Sequence, residues 1–84
     1  MSKKEKIVER LKSRPKDFTY DEARQLLNMF GFVEYNKGKT SGSKVEFINE
    51  YNKKIELHKP HPGNILKIYQ VNKILVLFKE WRIL

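Results

Sequence analysis

The chain has 84 residues, no cysteine and a formal net charge of +8, from 18 lysines and arginines against 10 acidic residues. That length holds one small hydrophobic core, and the lack of cysteine excludes a disulfide framework and a cysteine-based zinc site. A surface this basic attracts polyanions: nucleic acid is the first candidate, an anionic membrane the second and an acidic protein the third, with a merely soluble basic protein as the plain alternative.

No stretch approaches the roughly 20 apolar residues of a membrane span. The opening MSKKEKIVERLK lacks the apolar run of a secretory signal, so the expected compartment is the cytoplasm. Two histidines make a poor metal site, and no metal or other cofactor is expected.

Residues 4–13 read as a short helix with Ile7, Val8 and Leu11 on one face, ended by Pro15. Two turns are marginal alone, so this helix must dock on the rest of the chain. The next helix, 20–30, is better marked. Thr19 and Glu22 have the spacing of a capping box, Phe18 can staple against Ala23, and Gly31 supplies the left-handed stop. Ala23, Leu26, Leu27 and Phe30 form its apolar stripe.

Three strands follow. Residues 32–36 are a short one, and KGKTSGS, 37–43, is a polar loop. Val45 and Phe47 alternate with Lys44 and Glu46, and Ile55 and Leu57 alternate with Glu56 and His58. Residues 49–52 are the turn between these two runs. The alternation predicts Val45, Phe47, Ile55 and Leu57 on the core face of an antiparallel sheet. It places Lys44, Glu46, Glu56 and His58 together on the other face. Pro60, Pro62 and Gly63 break the chain direction. Ile68, Val71, Ile74, Leu75 and Phe78 then recur at helical spacing up to about residue 80. The apolar tail, 81–84, packs back or adds to a partner surface.

The expected architecture is α+β: one domain, 1–84, with two helices on one face of a three-stranded antiparallel sheet and a helical extension over 1–16. This is the topology of double-stranded-RNA-binding domains. Topology alone assigns no function.

Four segments, FTYDEARQLLNMFGF (18–32), TSGSKVEF (40–47), LHKPHPGN (57–64) and YQVNKILVLFKE (69–80), resemble the HicA toxins of bacterial toxin–antitoxin systems. The pairing of G-S-x-x-x-F with H-x-P-H-P-G is the most specific part. The resemblance implies a fold like that of double-stranded-RNA-binding domains and ribonuclease activity on messenger RNA. It also implies inhibition by a HicB-like antitoxin. The family's usual catalytic histidine follows the Gly-Ser pair; here Gly42 and Ser43 match, and the next residue is Lys44.

That difference has chemical weight. Metal-free RNA cleavage needs a base for the 2′-hydroxyl proton, an acid for the leaving 5′-oxygen, and positive charge beside the phosphorane-like transition state. Histidine, with an ordinary pKa near ~6.5, suits the proton transfers. Lysine, near ~10.4, stays protonated at neutral pH and suits charge stabilisation instead. Lys44 and His58 are therefore the candidate catalytic pair. Two readings stand for His58: an acid–base group, or a surface histidine at a strand end. His61, between two prolines, reads as part of the turn into the last helix. Lys37, Lys39, Ser43, Lys59 and Lys67 are the candidate RNA contacts. Tyr35, Tyr51 and Tyr69 are candidates for base stacking or for the rim of the core. The alternative function is a weakly catalytic or inactive RNA-binding module that docks an acidic protein partner.

Overall fold

The computed structural model describes residues 2–35, 44–60 and 63–84. The elements, in chain order, are α1 (Lys3–Lys12), α2 (Tyr20–Met29), β1 (Val33–Tyr35), β2 (Lys44–Ile48), β3 (Lys54–His58) and α3 (Ile68–Glu80). The strands form one antiparallel sheet in the order β1-β2-β3. The α+β class and the likeness to double-stranded-RNA-binding domains follow from this order. The polar loop 37–43, with Lys37, Lys39 and Ser43, and His61 lie outside the described residues.

Each helix begins and ends for local reasons. Ser2 Oγ accepts from Glu5 N–H at 3.2 Å and caps α1. On α2 the capping box is complete: Thr19 Oγ1 accepts from Glu22 N–H at 3.1 Å, and Glu22 Oε1 accepts from Thr19 N–H at 3.0 Å. Gly31, at φ 87°, closes α2 in a Schellman turn. Its N–H reaches Asn28 O at 3.1 Å, and Phe32 N–H reaches Leu27 O at 2.9 Å. Phe32 was expected in the first strand. Its N–H is spent on this turn instead, so β1 starts one residue later, and its ring is fully buried.

The tail uses the same turn with an arginine. Arg82 sits at φ 59°, its N–H bonds Lys79 O, and Ile83 N–H bonds Phe78 O at 2.8 Å. This folds Trp81, Ile83 and Leu84 back against the core, with Trp81 stacked on Phe32 at 6.0 Å between ring centroids.

The core joins Phe47, Ile55 and Leu57 from the sheet to Leu26 and Leu27 from α2, and to Val71, Ile74, Leu75 and Phe78 from α3. Burying each such side chain contributes about 1.5–3 kcal/mol. Ile7 and Leu11 of α1 are buried in the same cluster, which supplies the docking so short a helix requires. Val45, expected in the core, is half-buried and packs against it: the pairing with β1 stops at Glu46, so among the described residues Val45 pairs with Leu57 alone. The segment before α3 is tied to the start of α2. Tyr20 N–H donates to Asn64 O and Leu66 N–H to Phe18 O, both at 2.8 Å, forming an isolated bridge between Thr19 and Ile65.

Candidate functional site

The face of the sheet away from the helices is polar at the end that carries Lys44 and His58, with Val33 and Ile48 at its other end. Its register pairs Lys44 with His58, Glu46 with Glu56, and Tyr35 with Glu46. The backbone N–H and C=O of His58 point out of the sheet, to Gln70, so Lys44 and His58 form a non-hydrogen-bonded pair. Opposed side chains come closest at such pairs. The expected sharing of one face by Lys44, Glu46, Glu56 and His58 is what the register produces.

Glu46 and Glu56 stand directly opposite, an arrangement of like charges that is unfavourable by itself. Lys44 offsets it. Its Nζ lies 3.2 Å from Glu56 Oε2 and 3.7 Å from Glu46 Oε1. The hydrogen bond and charge of Glu56, with a smaller contribution from Glu46, hold the Lys44 ammonium above its ordinary pKa. Lys44 is thus a fixed positive charge and not a base at neutral pH. His58 Nε2 lies 3.7 Å from Glu56 Oε1. Glu56 therefore touches both members of the candidate pair. The sequence put Glu56 on this face, but only the distances reveal it as the link between them. Farther along, the Tyr35 hydroxyl donates to Glu46 Oε2 at 2.6 Å. That bond, then burial, pushes the phenol pKa up.

Gln70 is the residue that sequence reasoning missed. It is the buried polar residue of α3, and its amide grips the His58 backbone on both sides. Gln70 Oε1 accepts from His58 N–H at 2.7 Å, and Gln70 Nε2 donates to His58 O at 3.1 Å. One turn on, Lys73 Nζ donates to Glu56 O at 2.6 Å. The available signal was position: Gln70 precedes Ile74 and Phe78 by one and two helical steps of four, so it lies on the apolar stripe.

The other candidates are spread out. Lys59 leaves the sheet face and reaches over the Tyr20 ring, 5.6 Å from its centroid. The two line a recess of about 230 Å³ with Arg24 and Asn64. Burial pushes the Tyr20 phenol up to about 12, and its hydroxyl has no hydrogen-bond partner among the described residues. Lys67 is the residue before α3 and lines a separate groove. Tyr35 is engaged with Glu46, whereas Tyr51 and Tyr69 are exposed.

A small α+β domain with a bare polar sheet face and a basic surface is the class of protein defined so far. Residues 20–79 match the family described as HicA toxin of bacterial toxin-antitoxin. The chain belongs to that family. No curated protein and no solved structure matches it. Among the described residues no helix is long and apolar enough to cross a membrane.

Proposed function

We propose that this toxin is a ribonuclease acting on messenger RNA and neutralised by a HicB-like antitoxin, with His58 and Lys44 as the reacting pair. The observation that carries the reading is their direct opposition on the open sheet face of a HicA-family chain. In this mechanism His58 accepts the 2′-hydroxyl proton, and the 2′-oxygen attacks the adjacent phosphorus. The bond to the 5′-oxygen breaks, that oxygen takes up a proton from solvent water, and a 2′,3′-cyclic phosphate remains. The Lys44 ammonium faces the negative charge that builds on the phosphoryl oxygens. Glu56, 3.7 Å from His58 Nε2 and 3.2 Å from Lys44 Nζ, holds the two side chains at one place on the face. Lys59, together with Lys37, Lys39 and Ser43 of the preceding loop, contributes contacts to the RNA backbone, and Lys67 adds a cation at the start of α3.

A second reading, an RNA-binding module with little or no cleavage, is favoured by one observation: a firmly protonated lysine stands where the family has histidine. Substitution separates the two. His58→Ala is expected to lower cleavage of a labelled RNA about 100-fold or more with little change in RNA affinity. Lys44→Ala is expected to lower both. Lys44→His reads the role of the lysine itself: loss of activity marks Lys44 as a working group, and a gain marks it as a degenerate replacement. If the folded wild type and all three variants leave RNA uncut without antitoxin, the ribonuclease reading is wrong.

A further inference from the structure

An open groove of about 700 Å³ lies between the α1–α2 connection and the start of α3. Its floor is aliphatic, from Ile65, Leu66 and Ile68, and its charged lining is cationic, from Arg14, Lys16 and Lys67. Among the described residues none of these three cations has a carboxylate partner. The apolar surface does not stop at the groove. Ile65, Ile68, Tyr69 and Val76 are all between 45% and 59% exposed, unusual for such side chains clustered together. Ile68, Asn72 and Val76 follow one another at four-residue steps, a stripe about 12 Å long on α3.

We infer that this groove docks an acidic, amphipathic helical segment of the toxin's protein partner, at a place separate from Lys44 and His58. The inference rests on the toxin–antitoxin reading above. Its occupant follows from charge and shape. The groove lining itself carries no ring for a base to stack on, Tyr69 standing outside it, whereas an apolar helix stripe flanked by carboxylates matches both the aliphatic floor and the cationic rim. A second copy of this chain, itself at +8, is repelled by an all-cationic rim. Arg14 and Lys16 precede the family match, which begins at residue 20. One wall of the groove therefore comes from the part of the chain that the match does not cover.

The test is fluorescence anisotropy with the full chain and three labelled probes. These are a capped helical peptide of about 14 residues with leucine on one stripe and glutamate elsewhere, a permuted peptide of the same composition, and an oligouridylate. The amphipathic peptide is expected to bind about 10-fold or more tightly than the permuted one. Ile68→Asp and Lys16→Glu should each remove most of that difference, and His58→Ala none of it. Ile68 is exposed, so folding should survive, as a melting curve checks; Ile68→Thr serves as the milder variant. Equal binding of the two peptides, or indifference to Ile68→Asp and Ile68→Thr, overturns the proposal. So does loss of oligouridylate binding in Ile68→Asp, which makes the groove an RNA track. Self-association of the wild type abolished by Ile68→Asp overturns it too, in favour of a second copy. Peptide binding here with uncut RNA in the cleavage assay sinks the ribonuclease reading and leaves the groove standing; the reverse result sinks the groove alone.

Discussion

Glu22 serves two helices at once. Its carboxylate completes the cap of α2 through Thr19 and receives Arg10 of α1, with Nε at 2.5 Å from Oε2 and Nη2 at 3.1 Å from Oε1. Arg10 Nη2 also reaches Asp17 Oδ1 at 3.0 Å. The Arg10 hydrogen bonds, more than the Thr19 contacts, hold Glu22 below the usual carboxylate range. A carboxyl lowered on folding contributes stability that is full above its unfolded pKa, about 4.3, and fades as pH falls through the lower folded value. Glu22→Gln should therefore cost about 1–2 kcal/mol at pH 7 and progressively less below about pH 4. Urea denaturation across that range checks it, and parallel curves for wild type and variant would refute the assignment. The capping role was legible from the Thr19–Glu22 spacing. The arginine was not, because twelve residues separate Arg10 from Glu22 and only the docking of α1 brings them together.

At the scale of elements, β3 is the edge strand that carries His58, and α3 braces its His58 end. Gln70 imitates a neighbouring strand by giving and receiving one hydrogen bond with the same residue, and Lys73 covers the next outward carbonyl. Replacing Gln70 with Leu leaves the His58 N–H and C=O without these partners. The expected loss is about 1–3 kcal/mol, read as a lower urea midpoint, and an unchanged midpoint would show that the brace contributes nothing. The strands themselves were readable because alternation with period two fixes which side chains share a face. The brace was not readable as such. A glutamine on an apolar helical stripe signals a buried polar contact, but its partner depends on how α3 lies across the sheet.

For the whole molecule, charge is legible without a structure and its distribution is not. The total of +8 predicts RNA binding by counterion release, whereas the sheet face itself mixes Lys44 and Lys54 with Glu46 and Glu56. RNA affinity should fall steeply between about 50 and 200 mM salt, with a log–log slope near 0.7 per neutralised phosphate. Charge reversal at Lys37, Lys39 and Lys59 should flatten it. Affinity that ignores salt would argue that the basic surface serves proteins alone. The sequence identified the family, the sheet face and the two reacting candidates. Gln70, the Glu56 link and the groove beside Ile68 arise from contacts between distant segments, which no local pattern encodes.

The braced end of β3 also bears on what this protein can become when crowded. Sheets grow into fibres by adding strands at both margins, each new chain leaving a fresh margin for the next. Gln70 and Lys73 occupy the His58 N–H and C=O and the Glu56 C=O, so a strand added along that end of β3 would have to displace them. That obstacle to strand addition stands on the strand that carries the candidate histidine.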